Sequence, residues 1–170
     1  ETLGKTNSHN KMLSALWRES PFTKIKDTEK VMTMASLLHI DTNNVSFLSE
    51  LVKKSKVSMT IWLKRYLEAY LKPLIHCFYK YELVFMPHGE NIILVLENNV
   101  PNSILMKDIT EEVIVFNEEM NLPEHVDRLF TKTTDRMKIL SIFTDVFDCF
   151  FRFLGQILET HCNYSENKFW

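Results

Sequence analysis

The sequence predicts a helix-rich α+β domain organised around a central antiparallel β-hairpin. Two apolar runs, residues 92–96 and 104–106, flank the turn-forming residues 98–101 (Asn-Asn-Val-Pro), a pattern typical of a hairpin. Two long segments, which start near residues 58 and 134, repeat apolar residues at spacings of three and four, as amphipathic helices do. A small sheet covered by helices is the architecture that satisfies both patterns.

Residues 12–170 are expected to form one domain. Residues 1–11 are polar and resemble a flexible or cut linker. Residues 30–40 form a strand or a short helix, and the strand is favoured. Ser46 is predicted to cap a helix that ends near residue 54, because Ser is a preferred N-cap residue.

The longer helices follow the same rules. Ser58 is predicted to cap the second helix, in which Pro73 predicts a kink or a break. After the hairpin, residues 113–116 (Val-Ile-Val-Phe) are rich in β-branched side chains and predict a third strand. Pro123 is predicted to start a short helix. The last long helix is expected over residues 134–162. Its predicted apolar stripe consists of Leu140, Phe143, Phe147, Phe150, Phe151, Leu154 and Leu158.

Composition limits the classes of partner. The chain has 170 residues, of which 45% are apolar, and a net charge of −2 without a basic stripe, which argues against a nucleic-acid partner. No apolar run reaches the roughly 18 residues that a membrane span needs. The three cysteines include no close pair, so they are expected to be buried free thiols in a reducing cytoplasm. A first residue other than Met suggests that the true N-terminus lies elsewhere.

The open end of the hairpin carries the strongest candidate site. If Glu97 faces Asn102 across the turn, regular pairing places Asn91 opposite Asp108. Side chains directly opposite on antiparallel strands have Cβ atoms about 4.5–5.5 Å apart. An amide oxygen beside a carboxylate is a ligand pair that suits Mg²⁺, which commonly completes its shell with nucleotide phosphates.

His88 and Lys107 lie beside this pair. His88 stands between Pro87, which restricts the chain, and Gly89, which is expected to give the backbone freedom. A histidine here can donate to a phosphate or a substrate carboxylate, or act as a base. Lys107 precedes Asp108 and points to the opposite face if the strand is regular. An ordinary turn and a solvated strand end remain the alternative interpretation.

The other candidates are weaker. Arg18 could clamp an anion, although a surface salt bridge is the simpler interpretation. His76 and Cys77 fit the apolar pattern of a helix and are expected in the core. No glycine-rich phosphate loop is present. If the domain binds ATP, most of the groups that hold its phosphates must therefore come from another part of the protein.

Three segments resemble the C-terminal region of the NRPS-independent siderophore (NIS) synthetases, the aerobactin-synthetase-like family. They are residues 66–74 (YLEAYLKPL), 85–91 (FMPHGEN) and 104–108 (ILMKD). The motif His-Gly-x-Asn, followed about seventeen residues later by Arg or Lys and then Asp, is the signature of that family. The resemblance extends over residues 15–170.

The resemblance implies roles for individual residues. His88 would contact substrate carboxylate and phosphate as a catalytic group, Asn91 would contact phosphate or metal, and Asp108 would be a Mg²⁺ ligand. Lys107, which stands where many members have Arg, joins them in the ATP-binding set. Some members carry Glu where this chain has Met86, which puts a metal role for that position in doubt.

The resemblance also implies an activity and its partners. Family members adenylate a carboxylate of citrate or a related polycarboxylate with Mg²⁺ and ATP, and then condense it with an amine or alcohol. They have thumb, fingers and palm regions, and this chain resembles the palm, which is distantly similar to protein kinases. Other triphosphate contacts lie in an N-terminal region absent from this chain, so the chain is expected to fold but to be inactive alone. Family members often form dimers, so a homodimer is among the partners that the resemblance allows, although the sequence does not reveal the oligomeric state.

A non-catalytic ferric-siderophore handling module, similar to ferric-siderophore reductases, is the alternative. Such reductases hold an iron–sulfur cluster on closely grouped cysteines. The positions of Cys77, Cys149 and Cys162 include no close pair and disfavour it.

Overall fold

The computed structural model describes residues 7–9, 12, 15, 17–109 and 113–170. The elements in chain order are β1 (Glu29–Thr33), α1 (Phe47–Ser55), α2 (Met59–Tyr81), β2 (Leu83–Phe85), β3 (Ile92–Glu97), β4 (Val100–Met106), β5 (Val113–Val115), α3 (Asp135–Phe143), a π-helical segment (Thr144–Phe151), α4 (Arg152–His161) and α5 (Glu166–Phe169). The predicted helix-rich α+β class is confirmed. Of the linker predicted over residues 1–11, positions 1–6, 10 and 11 lie outside the described residues.

The larger sheet has the order β1-β3-β4, so the hairpin β3–β4 forms two of its three strands and β1 pairs with the other edge of β3. Both pairings in this sheet are antiparallel. The turn contains only Asn98 and Asn99, both with positive φ, as a two-residue type I′ turn requires. The predicted register is therefore wrong. Glu97 pairs with Val100 rather than Asn102, and a bulge between Val95 and Leu96 shifts the remaining ladder.

Helices α1 and α2 begin where their caps predict. Ser46 accepts a hydrogen bond from the backbone of Ser49, and Ser58 accepts one from Ile61. Helix α2 continues through Pro73 to Tyr81, so the predicted break is absent. Its inward face buries Trp62, Tyr66 and Tyr70, and Trp62 Nε1 donates to the carbonyl of Asn99 in the hairpin turn at 2.9 Å. This bond fixes the hairpin to the helix.

Three shorter predictions need correction. Residues 30–40 divide into β1 and a 3₁₀ turn, Met34–Leu38, that buries Met34 and Leu37. The strand predicted at residues 113–116 exists as β5, but it pairs with β2 in a second, two-stranded sheet instead of extending the hairpin. Pro123 starts only a turn, and a 3₁₀ turn follows at Asp127–Leu129.

The predicted last helix is three consecutive helical pieces, α3, the π-helical segment and α4. The π-helical geometry changes which side chains face the core. Phe150, Phe151, Leu154 and Leu158 of the predicted stripe are buried, whereas Leu140 and Phe143 are 39% and 49% exposed. The end of the chain closes this face, because the rings of Phe169 and Phe151 lie 5.5 Å apart.

The cysteine and histidine predictions are partly wrong. All three cysteines are free, but Cys149 is exposed and Cys77 and Cys162 are half-buried. His76 lies on the exposed side of α2 rather than in the core. Among the helices of the described residues, none combines the length and the apolar character that crossing a membrane requires.

Candidate functional site

The turn that carries His88 is held on several sides. The hydroxyl of Tyr70, a fully buried side chain of α2, donates to the carbonyl of Pro87 at 2.7 Å. Burial raises the pKa of this phenol, so it stays protonated and remains a donor. The backbone of Ala35 donates to the carbonyl of Gly89 at 2.9 Å. Helix α2 and the 3₁₀ turn after β1 therefore position His88 together.

Gly89 is needed for close packing rather than for unusual backbone angles. None of the glycines among the described residues has a positive φ, so the predicted backbone freedom is not used. A Cβ at Gly89 would lie 2.8 Å from a ring carbon of Phe150 and 3.1 Å from the Cα of Ala35. The π-helical segment thus reaches the site through Phe150, which fits only beside a residue without a side chain.

Asn91 bonds back to His88. Its Nδ2 lies 3.1 Å from Nε2 of the half-buried His88 and donates to the carbonyl of Met86 at 3.1 Å. An amide nitrogen can only donate, so in this arrangement Nε2 accepts and Nδ1 is the ring nitrogen left to donate. Only 5% of Asn91 is exposed. The proton on Nδ1 is then the one His88 can give to a ligand.

Asn91 lies opposite Lys107, not opposite Asp108. The backbone of Lys107 donates to the carbonyl of Asn91 at 3.0 Å, and Ile92 pairs with Met106. The two-residue turn and the bulge cause this one-residue difference from the predicted register. Asp108 follows the end of β4 with a φ of 60°, a left-handed conformation that aspartate tolerates better than most residues.

Two cations hold the Asp108 carboxylate. Lys107 Nζ lies 2.7 Å from Oδ2, and the guanidinium of Arg18 is paired with Oδ1. The expectation that Lys107 faces away is therefore wrong, because the strand ends at Met106 before regular alternation applies. The hydrogen bond and charge of Lys107, followed by those of Arg18, lower the pKa of Asp108, so the carboxylate is ionised at neutral pH.

The structure thus links the four predicted site residues into one chain of contacts. His88 contacts Asn91 through side chains, Asn91 contacts Lys107 through the backbone, and Lys107 contacts Asp108 through side chains. Sequence reasoning assigned Tyr70 no role in this site, because its helical spacing places it in the apolar pattern of α2 and nothing in the sequence requires a contact with Pro87. Arg18 was recognised as an anion clamp or a salt bridge, but nothing in the sequence indicates its partner.

These groups can bind Mg²⁺ only if water and a bound phosphate supply the rest of its coordination shell. Within the described part of the chain no three His, Cys, Asp or Glu side chains converge on a common point. One ionised carboxylate with one amide fits an ion that takes its remaining ligands from water and phosphates, which is common for Mg²⁺. Both Asp108 oxygens are paired with cations here, so a metal ion would replace one of them. The nearby positive groups fit phosphate or carboxylate.

Comparison with known proteins finds similarity to siderophore synthetases, as the motifs around His88 and Asp108 predict. Residues 60–170 match the model of the family described as ferric iron reductase FhuF-like transporter. The whole chain is 50% identical to putrebactin synthase from Shewanella sp. (strain MR-4), of which it covers 27%. The matched part is the C-terminal portion of such synthetases.

Solved structures share the fold. Aerobactin synthetase IucC from a hypervirulent pathotype of Klebsiella pneumoniae superposes with a TM-score of 0.84 at 25% identity, over 90% of this chain and 29% of that protein. ATP-bound aerobactin synthetase IucA from the same pathotype superposes with a TM-score of 0.67 at 16% identity, over 82% of this chain and 27% of that protein. At that identity, the second likeness concerns the fold alone.

Proposed function

The chain belongs to the FhuF-like family, and on that basis we propose that it is the C-terminal palm part of an ATP-dependent siderophore synthetase of the NIS type. The full enzyme would adenylate a carboxylate of citrate or a related polycarboxylate and condense it with an amine or alcohol. The linked contacts from His88 to Asp108 support this proposal most, because they join both signature motifs at one end of the hairpin. Identity of 50% to putrebactin synthase supports the same class of enzyme.

Each site residue has a role in the proposed reaction. His88 donates from Nδ1 to the substrate carboxylate or to the phosphate that it attacks. Lys107 stabilises the negative charge that develops on the phosphate oxygens, as fixed positive groups do in such sites. Asp108 and Asn91 would hold Mg²⁺, which neutralises phosphate charge when bound. The remaining triphosphate contacts come from outside this chain.

The proposal also places the enzyme in the cytoplasm. ATP is supplied there, and a reducing compartment keeps the three free cysteines as thiols.

The test is adenylation by the full-length protein, measured as polycarboxylate-dependent exchange of pyrophosphate into ATP across a panel of polycarboxylates. We expect Asp108→Ala and His88→Ala to lower the exchange rate by at least about 100-fold, as loss of electrostatic or acid–base groups typically does. Arg152→Gln changes an exposed residue far along the chain and serves as the control. Full activity in both site variants would refute the site assignment.

The description of the family favours one further candidate, a ferric-siderophore reductase. An iron–sulfur cluster needs grouped cysteines, whereas Cys77 lies in α2, Cys149 in the π-helical segment and Cys162 after α4. We expect anaerobically purified protein to be colourless, with no absorbance band near 400 nm. A brown protein with that band would favour the reductase.

A further inference from the structure

Arg18 reaches the candidate site from a distant part of the sequence. It pairs with Asp108 across 90 positions of the chain. Residues 17–20, which carry it, form neither helix nor strand, and all four are exposed before the 3₁₀ turn that begins at Pro21. The ion pair therefore brings an otherwise peripheral segment to the end of the hairpin.

The charges at this point do not balance. Among the described residues, the carboxylate of Asp108 is paired with both Arg18 and Lys107, so these three groups include one more positive than negative charge. Lys107 is adjacent in sequence and its ammonium is already 2.7 Å from Oδ2. A second cation is thus unnecessary for neutralising Asp108, and the cluster as a whole favours an anion.

The side chain of Arg18 is accessible to such an anion. It is 49% exposed, compared with 26% for the side chain of Asp108. A guanidinium has five N–H donors in a planar fork, and the bond to Asp108 uses the Nη2 nitrogen. The remaining donors have the geometry that binds carboxylate or phosphate oxygens in pairs.

We propose that Arg18 is a ligand-binding residue of this site that exchanges partners. In the ligand-free protein its guanidinium pairs with the Asp108 carboxylate. When a divalent cation binds the Asp108 carboxylate, the guanidinium is released and binds an anionic oxygen pair of the incoming ligand, either a nucleotide phosphate or a substrate carboxylate. This inference rests on the proposed function, because it requires Asp108 to take up a metal ion together with an anion.

The proposal predicts opposite effects of Asp108→Asn under two conditions. The dissociation constants of ATP, pyrophosphate and citrate would be measured by calorimetry with the 170-residue chain, once with Mg²⁺ and once with EDTA. With Mg²⁺, Asp108→Asn and Arg18→Gln should each weaken pyrophosphate or ATP binding about tenfold, the loss expected for one charge-assisted contact. Arg18→Lys should lie between, because it keeps the charge and loses the fork.

With EDTA, Asp108→Asn should instead tighten anion binding, since it frees Arg18, and the double variant with Arg18→Gln should lose that gain. Arg18→Gln alone should change metal-free binding less than about twofold. A fall in citrate affinity instead of pyrophosphate affinity would identify the substrate carboxylate as the anion. The matched control is Arg152→Gln, which removes an Arg–Asp pair of 3.0 Å elsewhere on the surface.

If Arg18→Gln binds all three ligands with unchanged affinity while Asp108→Asn and His88→Ala lose binding, Arg18 does not bind the ligand. That result would leave the proposed function intact. If the double variant still binds anions more tightly than the wild-type protein in EDTA, the role of Arg18 is overturned as well. If the wild-type chain binds none of the ligands with Mg²⁺, the exchange at this site is refuted, while adenylation by the full-length protein still tests the enzyme class.

Discussion

At the scale of single residues, the candidate site depends on contacts that a sequence pattern cannot reveal. The motifs make His88, Asn91, Lys107 and Asp108 candidates, because their types and spacing resemble the signature of the NIS synthetases. The ion pair between Asp108 and Arg18 could not be predicted, because the two residues lie 90 positions apart in the sequence. That contact depends on where the folded chain places the segment that carries Arg18.

The pKa of Asp108 should report both of its partners in the metal-free protein. Its carboxyl should titrate below the ordinary value of 3.8, because Lys107 first and Arg18 second favour the ionised form. By linkage, these pairs stabilise the fold above that ordinary value, and the stabilisation is lost as the pH falls through the lowered pKa.

Carboxyl chemical shifts in a ¹³C NMR titration provide the measurement. Lys107→Gln should raise the midpoint of Asp108 more than Arg18→Gln does. Asp41 is the internal control, because the backbone N–H of Val45 is the main cause of its lowered pKa and neither substitution touches it. A midpoint for Asp108 at or above 3.8 in the wild-type protein would contradict the ion pairs.

Gly89→Ala should destabilise the fold by about 1–3 kcal/mol, the usual cost of overpacking. The new Cβ meets the Phe150 ring at 2.8 Å and the backbone of Ala35 at 3.1 Å. Gly155→Ala is the matched control, because its Cβ meets a carboxylate oxygen of Glu166 at 3.3 Å, a flexible side chain that can give way. It should leave stability unchanged or raise it by up to about 1 kcal/mol, as Ala favours helix. Urea unfolding measures both, and equal losses in the two variants would contradict this packing role of Gly89.

At the scale of elements, the hairpin could be predicted from the sequence but its register could not. Apolar runs around Asn98 and Asn99 are sufficient to predict two strands and a turn. A four-residue turn and a two-residue turn fit those runs equally well, and the bulge beside Val95 leaves no signal in composition. Because side chains alternate along a strand, a one-residue shift moved Asn91 from Asp108 to Lys107.

The last helix shows a related limit. Spacing of three and four predicted one continuous stripe, and its C-terminal half is buried as expected. The π-helical segment Thr144–Phe151 changes the phase of the helix, which leaves Leu140 and Phe143 partly exposed and turns Phe150 toward Gly89. Periodicity alone cannot locate such a segment, because it assumes a constant number of residues per turn.

Helix α2 should control the position of His88 through one hydroxyl. Tyr70→Phe would leave the buried carbonyl of Pro87 without its donor, at a cost of about 1–3 kcal/mol. Tyr66→Phe is the control on the same helix face. Its hydroxyl donates to the sulfur of Met34, a weak acceptor, so the cost should be about 1 kcal/mol or less.

Both tyrosines are fully buried, so differences in burial do not confuse the comparison. Chemical denaturation would give the two free energies of unfolding, and adenylation by the full-length protein would separate stability from positioning. Only Tyr70→Phe should lower the adenylation rate at temperatures where both variants are folded. Equal rates in the two variants would show that the hydroxyl of Tyr70 is purely structural.

At the scale of the whole molecule, the sequence predicts the enzyme class better than the topology. The paired motifs identified the family, whereas the placement of β5 in a second sheet follows from which strand edges the folded chain brings together. The described domain has its own core, in which α2, the sheet and the C-terminal helices bury a continuous apolar cluster. Independent folding is therefore expected.

The isolated chain is expected to fold but not to catalyse adenylation. The Asp108 carboxylate and the two cations paired with it can bind part of a nucleotide. The chain has only three glycines, however, and no glycine-rich phosphate loop. The curated relative at 50% identity is almost four times as long, since the chain covers 27% of it. We expect the isolated chain to unfold cooperatively in urea and to release no pyrophosphate from ATP with citrate and an amine. Sustained release above the Asp108→Ala background would contradict this division, because it would mean that one end of a hairpin supplies a complete adenylation site.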